Sequence, residues 1–353
     1  MKINLKLITN IILTSISISV LLGSFLSIVG PINQNKKINL SGKSIKSIKK
    51  IFPSKNPNKI LLNDNTLEKF KNLETLKNKW ENLINKNPDL DASAFFFSLD
   101  HQVYAEIKSN KKLSAASSIK VPILIVLLAM LDKKEIFWDE KLMLTEDTIG
   151  SGSGWMAYQQ IGEKFPIFEV ATEMIRVSDN TATNLIIKRL GGINLINQKF
   201  KEIGLRNTKL NNFLPDLSGT NLTSTKDLSF AMALVDSGFL LNPNSRDIFR
   251  EIMRQSKTNT LIPSGILKGL RIEDKDTDYY LSLKGYLVHN KTGDIGISYS
   301  DTALIQTPQN LRAFATFIVK GPFNDPRSPE LIRNLAAELV PFLEIDKNSR
   351  ELN

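Results

Sequence analysis

Between residues 66 and 86 apolar side chains return at helical spacing (Leu67, Phe70, Leu73, Leu76, Trp80, Leu83), which predicts an amphipathic helix. The period then shortens. Residues 92–99 and 102–107 read as a hairpin turning at Asp100-His101. From Val121 to Leu131 the chain is apolar on every side, which predicts a helix buried inside a core. Pro122 is compatible with that helix because it lies near the start. Residues 135–265 carry helix and loop signals with few strand signals. Three strands are predicted over 280–292, 298–306 and 311–319, and a last helix over about 329–343. Strands at both ends with helices between them predict one sheet with a helical insertion. The domain, residues 63–353, then divides into an α+β (α/β) lobe, about 63–134 and 266–346, and an all-helical lobe, about 135–265. Clefts between lobes are where small-molecule sites usually lie.

The first 62 residues have another character. From Leu7 to Asn35 no residue is charged, and Lys2 and Lys6 precede this Leu/Ile/Val-rich run. Residues 1–35 therefore read as a signal peptide or an uncleaved signal anchor, which predicts an exported, periplasmic or extracytoplasmic protein. Residues 36–62, rich in Lys, Asn and Ser, read as a basic tether. Residues 1–62 hold ten lysines and no acid. The net charge of +10 therefore belongs to this tail, and the remaining basic residues are balanced by 36 acidic ones. A basic tail can meet an anionic surface, but the balanced domain gives no reason to expect nucleic acid. The chain has no cysteine, so disulfides, a cysteine nucleophile and a lipidated cysteine are excluded. Two histidines, His101 and His289, are too few for an ordinary zinc hydrolase site, and no metal or other cofactor is expected.

Chemistry is concentrated in three strings. S-x-x-K occurs at Ser47–Lys50, Ser109–Lys112 and Ser117–Lys120, and only the third opens a buried helix. There the i, i+3 spacing puts an amine one turn from a hydroxyl. Free N–H groups at the helix start can hold an oxyanion. Ser178-Asp179-Asn180 lies between helical patterns at 168–176 and 181–190, and Lys291-Thr292-Gly293 ends a predicted strand. In this order the strings resemble the S-x-x-K, S-D-N and K-T-G set of penicillin-recognising serine enzymes. The resemblance is to class A β-lactamases and, more distantly, to D,D-peptidases. It implies a two-lobed fold with a five-stranded antiparallel sheet. It also implies roles: Ser117 as nucleophile, Lys120 as base, Ser178 as proton relay and Asn180 as partner of the substrate amide. Lys291 and Thr292 would clamp a substrate carboxylate, Gly293 would let it approach, and the Asp294 N–H would complete the oxyanion site. The family often adds an arginine on the next strand, but residues 294–310 contain none. Asp301 is expected to be structural, and His289, which shares a strand face with Lys291, to be structural or at the rim of the site.

One part of the family pattern is missing. Class A enzymes hydrolyse the acyl-enzyme with a glutamate in an E-x-x-L-N string after S-D-N. The family spacing leads to Leu210-Asn-Asn-Phe-Leu-Pro-Asp-Leu-Ser218, where Leu214 stands in place of the glutamate and Ser218 in place of the asparagine. Asp216 is the sole carboxylate between Ile203 and Lys226 and hence the candidate for a substitute deacylation base. The expectation is a monomeric serine hydrolase acylated by β-lactams through Ser117 and hydrolysing them slowly. The alternatives are a D,D-peptidase or esterase on D-amino-acyl substrates, or a non-catalytic envelope-binding module.

Overall fold

A computed structural model describes residues 64–273 and 276–344. The expected signal segment and tether, 1–35 and 36–62, lie outside the described residues. No helix among the described residues is long and apolar enough to cross a membrane.

After a 3-10 stretch at Asp64–Lys69 come β1 (Lys71–Asn72), α1 (Glu74–Asn85), β2 (Asp91–Ser98), β3 (Val103–Ile107) and β4 (Leu113–Ser114). A single 3-10 turn, Ala116–Ile119, then leads into α2 (Lys120–Asp132). The middle of the chain forms β5 (Lys141–Met143), β6 (Lys164–Pro166), α3 (Ile167–Arg176), α4 (Asn180–Arg189), α5 (Ile193–Glu202), β7 (Leu222–Thr223), α6 (Thr225–Asp236) and α7 (Pro243–Arg254). It closes with α8 (Ile262–Gly269), α9 (Thr277–Leu283), β8 (Leu287–Asp294), β9 (Ser298–Gln306), β10 (Arg312–Lys320), α10 (Arg327–Ala337) and α11 (Val340–Leu343). The main sheet runs β1-β3-β2-β10-β9-β8. Its five long strands are antiparallel, as expected, and β1 adds a two-residue parallel edge.

The sheet is covered on both faces, so the side-chain alternation of β2 feeds two cores. Phe96 points to one, with Trp80 of α1 and Phe317 of β10. Trp80 meets Phe317 edge-on at 5.5 Å and donates its indole N–H to the Leu335 carbonyl at 2.9 Å. Phe95 and Phe97 point to the other, against Phe230 of α6 and Phe314. The second core continues through α2, whose residues Val121–Leu128 are all buried, into α3, α4 and α5.

Two expected elements form differently. The helix expected over 66–86 is interrupted, because Lys71 N–H and Leu73 N–H bond the carbonyls of Gln102 and Tyr104 along the open edge of β3. Its apolar residues are nevertheless buried at Leu67, Phe70, Leu73, Leu76 and Trp80. The strand expected over 280–292 begins only at Leu287, because α9 precedes it. The Asp276 carboxylate caps α9 by accepting from Tyr279 N–H at 3.1 Å, and Gly285, at φ 81°, turns the chain out of it.

Candidate active site

The turn that carries Ser117 is fixed from several sides. Ala116, just before it, is held at φ 47°, a left-handed conformation costing a non-glycine residue on the order of 1 kcal/mol. The Ala115 carbonyl accepts from Ser118 Oγ at 2.6 Å and from Ser300 Oγ of β9 at 3.0 Å, while Ala115 N–H donates to the Asn221 carbonyl at 2.8 Å. Strand β8 runs against this turn at Gly293. A Cβ there would come within 2.7 Å of Ser117 N and 2.9 Å of Ala115 O, so only glycine allows the approach. Ser117 itself is half-buried, and its hydroxyl has no hydrogen-bond partner among the described residues. It is therefore free to meet a substrate.

Lys120 opens α2 and is fully buried. Its Nζ bonds the Ser178 carbonyl at 2.6 Å, Ser178 Oγ at 3.0 Å and Asn180 Oδ1 at 2.9 Å. Burial above all, and then the Lys291 cation, holds its pKa well below the usual lysine value, while Asp179 pulls the other way. An amine has two donors and one lone pair. In the neutral form the two donors suit the two carbonyl oxygens, which leaves the lone pair for an incoming proton.

The S-D-N segment owes its shape to Asp179. One carboxylate oxygen caps α4 by accepting from Ala182 N–H at 2.8 Å. The other accepts from Trp155 N–H at 2.7 Å and Met156 N–H at 2.9 Å, which pins the 150–156 loop to the motif. Ser178, at φ 60°, is the second left-handed non-glycine residue of the site. Asn180 Nδ2 donates to the Ser151 carbonyl at 2.8 Å, so this side chain joins Lys120 to the loop.

Lys291 is also fully buried. Its Nζ donates to the Thr292 carbonyl at 2.6 Å. Burial brings its pKa down to about 7, against the upward pull of Asp301. Asp301, on β9, is itself pushed up to about 7 by burial. Its carboxylate accepts from Ile262 N–H at 2.8 Å, capping α8, and from Asn290 Nδ2 at 3.0 Å. Thr292 pairs with Asp301 across the strands and is half-buried, whereas Asp294 is exposed and accepts from Gly296 N–H at 2.8 Å. His289, two residues before Lys291, is buried, and desolvation lowers its pKa to about 4.

The loop that lacks the glutamate is docked on α4. Asn184 Nδ2 donates to the Leu214 carbonyl at 2.7 Å, and Leu214 N–H donates back to Asn184 Oδ1 at 2.9 Å. A Cβ on Gly150 would lie 2.5 Å from Leu214 O and 2.9 Å from Asn180 Cβ, so Leu214 sits beside the S-D-N motif. Its side chain is only 5% exposed. Asp216 is held within its own loop, accepting from Thr220 Oγ1 at 2.8 Å and Asn221 N–H at 2.5 Å. None of its hydrogen bonds reaches Ser117, Lys120, Ser178 or Lys291.

The structure thus gathers Ser117, Lys120, Ser178, Asn180, Lys291 and Gly293 at the meeting of α2, α4 and β8. Sequence reasoning missed the latches Asp179, Asn184 and Asn290. Asp179 had a readable signal, since an aspartate before Asn-Thr-Ala-Thr is a helix N-cap pattern. Asn184 and Asn290 bind partners 30 and 11 residues away, which local patterns do not report. No cluster of three or more His, Cys, Asp or Glu fit to hold a metal ion occurs among the described residues.

A family model described as the β-lactamase enzyme family matches residues 75–343. A β-lactamase of Bacillus licheniformis is 29% identical over 199 residues, which is 52% of this chain and 62% of that protein. The β-lactamase BRO-1 of Moraxella catarrhalis is 23% identical over 299 residues, 81% of this chain and 88% of that protein. Among solved structures, PBP-A is 38% identical with a TM-score of 0.72, covering 78% of this chain and 98% of its own. A leucine-to-glutamate variant of PBP-A, solved as an acyl-enzyme complex with penicillin G, is similar at a TM-score of 0.71.

Proposed function

The chain belongs to the β-lactamase enzyme family, and on that premise we propose that it is an exported serine hydrolase, acylated by β-lactams through Ser117 and slow to release the product. The observation that carries this reading is the burial of Lys120 with its Nζ 3.0 Å from Ser178 Oγ, one helical turn from Ser117. A serine hydroxyl needs a base at neutral pH, and a desolvated lysine held below its usual pKa can be neutral enough to supply one.

Ser117 Oγ attacks the lactam carbonyl carbon, and its proton passes to the Lys120 amine. The carbonyl oxygen takes up negative charge against the N–H groups of Ser117 and Asp294. The ring C–N bond then breaks. The proton travels from Lys120 through Ser178 to the leaving nitrogen, restoring the neutral amine and leaving an ester on Ser117. Asn180 bonds the substrate's side-chain amide, and Lys291 with Thr292 holds its carboxylate.

Hydrolysis of that ester needs a water and a base to activate it. Leu214 offers none, and Asp216 is engaged by Thr220 and Asn221. Loss of a general base typically slows a step by about 10²–10⁴-fold, so the acyl-enzyme should persist. The penicillin G adduct of the PBP-A variant supports penicillins as the acylating class. Export is supported by the uncharged run at 7–35 behind Lys2 and Lys6.

The test is incubation with penicillin G while intact mass and ring opening are followed. The reading expects a long-lived single adduct that Ser117→Ala abolishes. Rapid turnover would refute slow release, and no adduct at all would remove β-lactams as substrates. A second reading, a D,D-peptidase, is favoured by the lysine clamp, which suits a peptide's terminal carboxylate equally well. Release of D-alanine from a synthetic peptide would identify it.

A further inference from the structure

Strand β9 carries a row of buried hydroxyls, Ser298, Ser300 and Thr302, on one face, because alternate residues of a strand share a face. Two of them reach the segment that leads into the Ser117 turn. Ser298 Oγ donates to the Ser114 carbonyl at 3.1 Å, and Ser300 Oγ donates to the Ala115 carbonyl at 3.0 Å. Neighbouring carbonyls alternate in direction along a strand. Here both can face β9, because Ala115, at φ −71° and ψ −27°, has already left the extended conformation. The two hydroxyls thus take the place of a strand partner.

Ser300 has the more exacting position. It stands opposite Gly293 in the β8–β9 pairing. A Cβ on Gly293 would lie 2.5 Å from Ser300 Oγ, 2.7 Å from Ser117 N and 2.9 Å from Ala115 O, so the three atoms converge on one point of β8. Asp294, the next residue, carries the second N–H assigned to the oxyanion. The other hydrogen bonds of the Ala115 carbonyl come from within the turn, from Ser118 N–H at 3.1 Å and Ser118 Oγ at 2.6 Å. The Ser300 hydroxyl is what ties this carbonyl to the sheet. The same peptide group sets φ of Ala116, which is held at 47° against its intrinsic preference. Released from β9, Ala116 can relax towards the right-handed region, and the Ser117 N–H turns with it.

We propose that Ser300 is a positioning residue for acylation: its hydroxyl holds the strained turn so that the N–H groups of Ser117 and Asp294 point at one developing oxyanion. This rests on the reading of Ser117 as the acylated nucleophile. Without Ser300 Oγ the Ala115 carbonyl is still satisfied by Ser118, so the loss falls on alignment rather than on an unpaired buried group.

The test measures acylation by penicillin G with rapid quenching and intact mass over a range of concentrations, which separates the dissociation constant of the first complex from the limiting acylation rate. The variants are Ser300→Ala and Ser300→Cys, the second keeping the size of serine with a weak donor. Ser93→Ala is the control, a buried hydroxyl that bonds the Lys108 carbonyl and Thr225 instead of the turn. Loss of one oxyanion donor costs about 10²–10³-fold, so misalignment of one is expected to slow the limiting rate about tenfold in both Ser300 variants. The dissociation constant should stay within about twofold, and Ser93→Ala should match the wild type. The infrared carbonyl band of the retained ester should also move to higher wavenumber in the Ser300 variants, because a less polarised carbonyl is stiffer. If Ser300→Ala does not fold, Ser300→Cys decides. A limiting rate within twofold of the wild type, a loss confined to the dissociation constant, equal slowing in Ser93→Ala, or failure of both Ser300 variants to fold would overturn the assignment while leaving Ser117 as nucleophile. A wild type that penicillin G does not acylate would overturn the underlying reading as well.

Discussion

Replacing Leu214 with glutamate puts the missing group where the family pattern has it. The backbone there is gripped in both directions by the Asn184 amide, at 2.7 and 2.9 Å, so the new side chain starts from a fixed position beside Asn180. Two effects oppose each other. Leu214 is 5% exposed, and its removal from the apolar cluster forfeits about 1.5–3 kcal/mol of burial. A carboxylate facing the site in its place can activate water, which is worth about 10²–10⁴-fold in the step it serves. Leu214→Glu should therefore be less stable than the wild type, yet lose its penicillin adduct at least about a hundredfold faster. Deacylation is measured by acylating with penicillin, removing excess ligand and following intact mass. Thermal denaturation of the same sample reports the stability cost. A variant that folds and acylates but deacylates no faster would refute the idea that the leucine is what stalls the reaction. So would a wild type that already deacylates rapidly.

Three further outcomes follow from the same geometry. Lys291 is charged below about pH 7 and neutral above it, while neutral Lys120 becomes more abundant as pH rises. Second-order acylation by a penicillin carboxylate should therefore fall on the alkaline side of about pH 7, whereas a penicillin methyl ester should show no such fall. His289 has a pKa of about 4 when folded against about 6.5 unfolded, with Arg250, Arg254, Asp236 and Glu251 acting on it. Between those values the unfolded chain binds more protons, so stability is full above about pH 6.5 and is lost as pH falls towards 4. Denaturant titrations should show His289→Gln losing less stability than the wild type between pH 7 and pH 5, by about 2 kcal/mol. Asn184→Ala removes both hydrogen bonds to Leu214 and strands two buried backbone groups. It should cost about 2–5 kcal/mol by denaturant titration and raise hydrogen exchange in residues 210–220.

What was legible in the chain divides by range. The buried character of α2 shows in its unbroken apolar run, and β9 forms over the same residues, 298–306, that its pattern predicts. Short motifs pointed to the residues proposed as nucleophile, relay and clamp, because each is written in three or four adjacent residues. The interruption of the first helix was not legible, since Leu67 to Leu83 keep helical spacing while the backbone pairs with the edge of β3, a decision made by tertiary structure. Helix α9 was hidden because Tyr279, Tyr280 and Leu281 favour strands by composition, and the Asp276 cap outweighs them. The state of Asp216 was equally invisible. Its hydrogen bonds to Thr220 and Asn221 are local, but only the folded loop shows that both oxygens are engaged.

The central claim is that this chain is equipped to be acylated and poorly equipped to release the acyl group. Its most direct measurement is the intact mass of the protein over hours after a short exposure to penicillin G, run beside Ser117→Ala. The account predicts one retained adduct in the wild type and none in Ser117→Ala. Return of the wild type to its unmodified mass within seconds, or an adduct that survives in Ser117→Ala, would contradict it.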